Sequence, residues 1–398
     1  MRISTIGYQT SALAQMEQVQ SDLAKTQSQL STGKKIQSAA DDPAGEVQIV
    51  TYGTQLSASQ QYVTNGNAAM TRLNLEDQAL TDTTHLLQSA RDLAVEANDA
   101  SLTDSQRQQI AVQLQQQLQN LLSIANQKDA NGDFLFSGFA ARTQPFSQSG
   151  SSVVYAGDQG ARLLQTSSNQ RIADGDSGFS VFMNVPSGNG TFLTTAAATN
   201  TGAGTIDAGS VTDPTAWVPG TYTVQFTSAT TWQVVDASNN VVTQGNYTDG
   251  GTIAFNGVQV AVSGTPAVGD QFTVTPSSGT DMFGTLSGLA TTLNTPTTTA
   301  AARAQLATQI GAALQQIDTH IDHLGQVQAS VGTRVNTIQT TQASAQTQQT
   351  NMQKSISQLS DVDYAAAITQ LDTEQLGLQA AQQSYALLAK LSLFNYIS

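Results

Sequence analysis

The sequence predicts an α+β protein. An elongated α-helical coiled-coil rod is formed by the N- and C-terminal segments, with an inserted antiparallel β domain, a sandwich or a small barrel. The first observation behind this is a seam near the C-terminus. Reading back from Leu359 in 4-3 steps gives Ile356, Met352, Gln349, Ala345, Gln342, Ile338, Val335, Val331 and Gln328. The same register continues through Leu324, Ile321, Ile317, Leu314, Ile310 and Ala307. Thirteen of these sixteen positions are apolar. Only a helix packed on other helices needs such a stripe, because 3.5-residue spacing keeps one side facing a partner. At 1.5 Å per residue the segment is a rod of about 80 Å. Its partners must come from far upstream, so the two ends of the chain must meet. The second observation is a change of period: from about 139 to 282 the apolar residues alternate in short runs instead.

Taken in order, residues 1–40 read as a helix, with Ile6, Leu13, Met16, Gln20, Leu23, Gln27 and Leu30 on one stripe. Gly33 stops it, and Lys34 and Lys35 sit beside its negative C-terminal end. Asp42 followed by Pro43 is a helix-start signal, a capping carboxylate and then a proline at the first helical position. A second helix runs to about Asn65, where Asn65-Gly66 reads as a break. A third carries Leu73, Glu76, Leu80, Thr83, Leu87, Ala90, Ala94 and Ala97 in 4-3 steps. Thr103 or Asp104 caps a fourth, with Ile110, Leu114, Gln117, Leu121 and Ile124 on one face. Asn131-Gly132-Asp133 ends this helical half with a turn.

Tyr222-Thr-Val-Gln-Phe226, Trp232-Gln-Val-Val235, Thr252-Ile-Ala-Phe255, Val258-Gln-Val-Ala-Val262 and Gln271-Phe-Thr-Val-Thr275 read as strands. Asn239-Asn240, Gly250-Gly251, Asn256-Gly257 and Gly264 punctuate them. Residues 187–215, rich in Gly, Thr and Ala, read as a long loop. Three domains follow: terminal helices (1–40 with 360–398), a helical rod (41–138 with 283–359) and the inserted β domain (139–282).

Composition narrows the function. The chain has 398 residues, a net charge of −14 and only 11% charged residues. Such an acidic chain is repelled by nucleic acid and by anionic lipid, and no Lys/Arg cluster offsets this. Between Arg171 and Arg303 there is no base at all. Asp174, Asp176, Asp207, Asp213, Asp236, Asp249, Asp270 and Asp281 fall in that stretch. Their scatter fits no calcium-loop spacing, so they read as a solvated surface. There is no cysteine, hence no disulfide and no thiol nucleophile. No apolar run approaches the roughly 20 residues of a membrane span. The first twenty residues lack the apolar core of a Sec signal peptide. A protein that stays in the cytoplasm, or leaves by an unusual route, is expected.

No active site is legible. HExxH, GxSxG, Walker A and a strand-linked GxGxxG are all missing. His320 and His323, with Asp318 or Asp322, have metal-ligand chemistry. The seam residues Ile317, Ile321 and Leu324 nevertheless place them on flanking and outer helix faces, as solvated groups. Asp41 and Asp42 are sequence neighbours at a helix start, where capping is the natural role. No cofactor or metal is expected.

The apolar C-terminus points instead to assembly. Leu387, Leu388, Leu391, Leu393, Phe394, Tyr396 and Ile397 crowd the last residues, where chains are normally polar. They need a cover: the chain's own body, the N-terminal stripe of Ile3, Ile6, Leu13 and Met16, or a neighbouring subunit. A membrane-surface helix needs a basic face, and Lys390 is the only base there. Gln328, Gln342 and Gln349 interrupt the seam. Polar residues at such positions either fix register and partner choice or loosen the bundle.

Particular motifs now carry a resemblance. Leu30-Ser-Thr-Gly-Lys-Lys-Ile36, then Ala39-Ala-Asp-Asp-Pro-Ala-Gly45 with Asp41, Asp42 and Pro43, resembles the N-terminal signature of the flagellin superfamily. Arg91-Asp-Leu-Ala-Val95 is similar to another of its segments. Asn131-Gly-Asp-Phe-Leu-Phe-Ser-Gly138 (Phe134, Leu135, Phe136, Gly138) and Thr143-Gln-Pro-Phe146 (Gln144, Pro145, Phe146) resemble the hook-associated protein 3 family within it. So does Leu391-Ser-Leu-Phe-Asn-Tyr-Ile397, apart from Asn395, where an acid is more usual. The resemblance covers most of 1–160 and 282–398. Tyr155-Ala-Gly-Asp158 and Gly269-Asp-Gln-Phe272 extend it into the β part.

The resemblance implies a non-enzymatic junction subunit between flagellar hook and filament. It implies export in unfolded form through the flagellar type III channel, with terminal helices that order on assembly around a central channel. Implied partners are a hook-associated protein 1 type subunit, flagellin, like copies in a ring, and an export chaperone on the C-terminal helix. Assembly contacts would fall on Ile3, Ile6, Leu13, Met16, Leu23, Leu30, Leu376, Leu387, Leu388, Leu391, Leu393, Phe394, Tyr396 and Ile397. The alternative is a flagellin filament subunit.

Overall fold

Six α-helices and fifteen strands are found in a computed structural model that describes residues 5–394, with side chains described from 7 to 387. In chain order they are α1 (Thr5–Thr32), α2 (Pro43–Ala97), α3 (Asp104–Ala125), β1 (Phe146–Ser149), β2 (Ser152–Tyr155), β3 (Leu163–Ser167), β4 (Gln170–Ala173), β5 (Val185–Pro186), β6 (Phe192–Ala196), β7 (Ala203–Ile206), β8 (Ser210–Val211), β9 (Tyr222–Ser228), β10 (Thr231–Val235), β11 (Val241–Asn246), β12 (Thr252–Phe255), β13 (Val258–Thr265), β14 (Gln271–Pro276), β15 (Gly279–Thr280), α4 (Met282–Leu293), α5 (Ala300–Ser360) and α6 (Tyr364–Phe394). The chain is thus α+β, helical at both ends with an antiparallel β insertion. It divides into two units, 1–64 with 341–398, and 65–340.

In the larger unit the seam does what its spacing predicts. Ile310, Ile317, Leu324, Val331 and Ile338 of α5 are fully buried with Leu73, Leu80, Leu87, Ala90, Ala94 and Ala97 of α2. α3 adds Ile110, Leu114 and Leu121 to the same core, and α4 adds Phe283, Leu286 and Leu289. Thr103 caps α3 and forms a capping box with Gln106. The hairpins β1–β2 and β3–β4 also belong here: Phe146, Val153 and Ile172 lie in this core.

A second core lies between two antiparallel sheets, ordered β11-β10-β9-β14-β6 and β12-β13-β7, with β8 also pairing β13. Val224, Phe226, Phe272 and Val274 from the first meet Ile253, Phe255, Val260 and Val262 from the second. This is a sandwich, built by alternate residues pointing inward. The β12–β13 hairpin turns at Asn256-Gly257, both at positive φ, the geometry that dipeptide favours.

Several expectations are corrected. No break occurs at Asn65-Gly66; α2 runs through it. Gly66 lies buried on the stripe that continues to Ala69 and Leu73, and that packing outweighs the ~1 kcal/mol helix penalty of glycine. The 187–215 loop holds three strands. β6 pairs with β14 at a sheet edge and buries Phe192. In α1 the inward stripe is Ala12, Met16, Val19, Leu23, Thr26 and Leu30, with Thr26 buried and the rest half-buried, so Leu13, Gln20 and Gln27 face outward.

The eight aspartates are not merely a solvated surface. Asp270 is buried and accepts from Thr201 N, Gly202 N and Ala267 N. Asp207, Asp213 and Asp236 each accept from backbone N–H groups in turns, and Asp249 accepts from Gly264 N of β13. Asp281 caps α4, and Asp174 and Asp176 pair with Arg162 and Arg334. Short side chains that accept from nearby N–H groups stabilise tight turns, and a β domain has many.

His320 is buried, not on an outer face. α4 packs over it, with Thr285 Oγ1 2.9 Å from its Nε2. Burial first, and His323 second, pull its pKa down to about 3. The unfolded chain takes up this proton near pH 6.5, while the folded chain does so only near 3. The contribution to stability is therefore complete above pH 6.5 and is lost as pH falls toward 3, on the order of 1 kcal/mol per pH unit. Urea midpoints measured from pH 7 to pH 4 should fall for the wild type and fall less for His320→Gln. Parallel curves would contradict this assignment.

Candidate assembly surface

In the smaller unit, α1 and α6 pack side by side. The inward stripe of α6 is Ala367, which is buried, with Leu371, Glu374, Leu378, Ala381 and Tyr385, which are half-buried, in 4-3 spacing like that of α1. Two turns close the pair. Lys35 N donates to Ser360 O (2.6 Å) and Val362 N to Gly33 O (3.0 Å), placing Lys34 opposite Asp361 in an antiparallel bridge. Gly33 makes the bend at φ +70°, and a β-carbon there would press on the Tyr364 hydroxyl.

Asp41 and Asp42 serve this turn. Asp41 pairs with Lys25 Nζ at 2.8 Å and accepts from Gln37 N and Ser38 N. The Lys25 hydrogen bond, and then the Gln37 amide, hold its carboxyl down at about 2. Asp42 Oδ1 accepts from Gly45 N at 3.0 Å, and Pro43 opens α2. A β-carbon on Gly45 would strike both Asp42 and Ile36, so the whole motif is one folded corner.

With one stripe spent on the pair, the other faces remain open. Leu13 is 46% exposed, Leu376 69% and Leu387 65%; Met16, Leu23 and Leu30 are half-buried. Tyr8, Tyr364 and Ile368 join the exposed set, although no periodicity singled them out. Their signal is chemical: large apolar side chains on the outward side of an already paired helix. Ile3, Tyr396 and Ile397 lie outside the described residues. Ile6, Leu388, Leu391, Leu393 and Phe394 lie outside those with described side chains.

The seam glutamines reach across to α2. Gln342 Nε2 donates to Val63 O (3.2 Å) and Gln349 Nε2 to Ser59 Oγ (3.1 Å). In the larger unit Gln328 Nε2 donates to Thr81 Oγ1 (3.0 Å). Each such bond holds only when the two helices keep one register, which favours the specifying role over a loosened bundle.

The Phe134–Phe146 motif is a brace within the larger unit. Arg72 of α2 is buried and donates to Phe134 O (2.8 Å), Leu135 O (2.9 Å) and Asp129 Oδ2 (3.0 Å). Phe136 and Phe146 meet Phe182, and Phe146 also meets Phe283. Tyr155 donates to Phe136 O and Asp158 O. Gly138 sits at φ +69° against Asp158, where a β-carbon would collide with that residue's carbonyl and carboxylate. Gln144 Nε2 donates to Phe146 O, and Pro145 O accepts from Ala156 N. These side chains position elements of the larger unit. Among the described residues no three His, Cys, Asp or Glu side chains are grouped for a metal, and no helix is long and apolar enough to cross a membrane.

Three family models match the chain. They are the bacterial flagellin N-terminal helical region over residues 3–141, the D2-like domain of flagellar hook-associated protein 1 over 195–276, and the bacterial flagellin C-terminal helical region over 314–397. Flagellar hook-associated protein 3 of Salmonella typhimurium is 28% identical over 187 residues, 47% of this chain and 58% of that protein. The chain thus spans little more than half the length of the curated relatives it matches. The crystal structure of flagellar hook-associated protein 3 from Legionella pneumophila is 31% identical, covers 78% of this chain and 98% of that one, and superposes with a TM-score of 0.75. The flagellar junction protein FlgL from Legionella pneumophila gives 30%, 79%, 100% and 0.72. A flagellin of Salmonella naestved matches over 113 residues, only 28% of this chain.

One buried group makes the brace sensitive to pH. Glu76 of α2 accepts from Asp176 N (3.0 Å), and Asp176 in turn pairs with Arg334 of α5. Its other oxygen, Oε2, has no hydrogen-bond partner among the described residues. Burial, then the Asp176 charge, push its pKa up to about 8, against the pull of Arg334. The folded chain holds this proton where the unfolded chain has released it. The contribution to stability is complete below about pH 4.5 and is lost as pH rises through 8. Urea titrations between pH 5 and pH 9 should show Glu76→Gln gaining on the wild type as pH rises. A constant difference would contradict the shift.

Proposed function

Because the chain belongs to the flagellar hook-associated protein 3 family, we propose that it is a structural subunit joining hook to filament in the bacterial flagellum. The observation that carries this reading is the open apolar set on α1 and α6. Leu13, Leu376, Leu387, Tyr8 and Ile368 lie on helices whose inner stripes are already used. Exposed groups of this kind on both ends of a chain are what a neighbouring helix would cover.

Residues 1–40 with 360–398 are assigned the axial contacts, 41–138 with 283–359 the helical body, and 139–282 the inserted β domain. The partners are a hook-associated protein 1 type subunit on one side, flagellin on the other, and copies of this chain around a ring. Export precedes assembly, with a chaperone on the C-terminal helix. The role is mechanical, and no catalytic step is assigned. The flagellin models at both ends favour a filament subunit as a second reading. It is weaker, because the flagellin sequence match covers 28% of this chain against 47% for flagellar hook-associated protein 3.

The test replaces Leu376 and Leu387 by Asp in the source cell. Both side chains are exposed, so each change should alter the unfolding free energy of the purified protein by no more than about 0.5 kcal/mol. The cells should carry hooks without filaments and lose flagellin to the medium. Normal motile filaments would overturn the reading. Bare hooks with no other flagellin in the medium would make this chain the filament subunit.

A further inference from the structure

Beside the sandwich lies a groove of about 540 Å³, within the range of small-ligand sites. Its lining includes Trp217, Pro219, Asn184, Thr191, Ser277 and Ser278. We propose that this groove binds a neutral saccharide, a role independent of the junction function.

Trp217 provides the platform. Its ring is backed by Phe192 and Tyr222, each 5.8 Å away between centroids, so it is held in place. The chain's other tryptophan, Trp232, donates its indole N–H to Asn246 O at 3.1 Å. Among the described residues, none accepts from the indole N–H of Trp217, and none pairs with the side-chain polar groups of Asn184, Thr191, Ser277 and Ser278. One aromatic ring is therefore surrounded by an amide, three hydroxyls and an indole N–H that are all free to bond outward.

A pyranose matches that set. Its C–H face, weakly positive, lies on the negative face of an aromatic ring, while its hydroxyls reach the surrounding donors and acceptors. Charged ligands do not match. No Asp, Glu, Lys or Arg lines the groove, and no base occurs between Arg171 and Arg303. A proline-rich peptide matches less well, because such segments dock in grooves lined by several aromatic rings.

The walls are tied by backbone bonds. Ser187 N donates to Ser278 O and Ser277 N to Thr191 O, both 2.8 Å, and β5 pairs with β15. A site fixed before binding loses little entropy on occupation.

The test uses the full chain with Trp232→Phe, which leaves Trp217 as the sole tryptophan. Lactose, maltotriose and N,N′-diacetylchitobiose are titrated against its fluorescence, with saturation-transfer NMR on the same samples. At least one should shift the emission saturably, with Kd on the order of 1 mM, or about −4 kcal/mol. Trp217→Ala, which removes the fluorophore and is therefore read by saturation-transfer NMR, should weaken that saccharide at least tenfold. Asn184→Ala, at an exposed residue whose loss leaves the fold intact by circular dichroism, should weaken it several-fold. No response to any of the three would overturn the proposal. So would binding undiminished in both Asn184→Ala and Trp217→Ala, or a response confined to a proline-rich peptide.

Discussion

The structure depends on one constraint: a seam of sixteen positions on α5 and a corner at Gly33 that have no partner nearby in sequence. Both find it at the far end of the chain. α5 buries its stripe on α2, and the turn before α2 hydrogen-bonds to the turn after α5. Closing so long a loop costs only slowly increasing entropy, so a large β insertion between the paired segments is tolerated. Everything else follows from that closure. α3 and α4 complete the core, the Phe134–Phe146 brace locks α2 to it, and the sandwich keeps a core of its own.

Specificity is written in polar atoms laid over apolar burial. Apolar stripes alone allow a helix to slip by a heptad. Gln328, Gln342 and Gln349 each reach a defined group on α2, and Arg72 clasps two carbonyls and a carboxylate at once. A slipped register would leave these groups unpaired, which costs more than a made bond contributes. Glu76 and His320 show the converse: buried groups that stay neutral and tie stability to pH.

Much of this was legible in the sequence. All sixteen seam positions of α5 are buried or half-buried, and the α2 stripe from Leu73 to Ala97 is wholly buried. The Asp42-Pro43 start, the Thr103 cap and the Asn256-Gly257 turn stand where their chemistry places them. What escaped has physical reasons. β6 to β8 are built from Thr, Ala and Gly with few apolar residues, so alternation gives no signal. Gly66 reads as a breaker only while the packing on its buried side is unknown. His320 is covered by α4, a separate helix whose packing no periodicity within α5 reveals. The α1 stripe uses Ala12 and Thr26, too small or too polar to count as core, and this shifted its apparent phase past Leu13. The surface role of Tyr8, Tyr364 and Ile368 depends on which stripe each helix has already spent, a fact of tertiary structure.

The most direct measurement exploits the absence of cysteine. Lys34 and Asp361 face each other as a non-hydrogen-bonded antiparallel pair, where α-carbons are about 4.5 Å apart, within reach of a disulfide. The Lys34→Cys, Asp361→Cys chain, oxidised at low concentration, should form an intrachain bond and migrate faster on a non-reducing gel. Lys34→Cys with Asp363→Cys should do so far less. Free thiols or only linked dimers from the first pair would contradict the closure on which the rest of the fold depends.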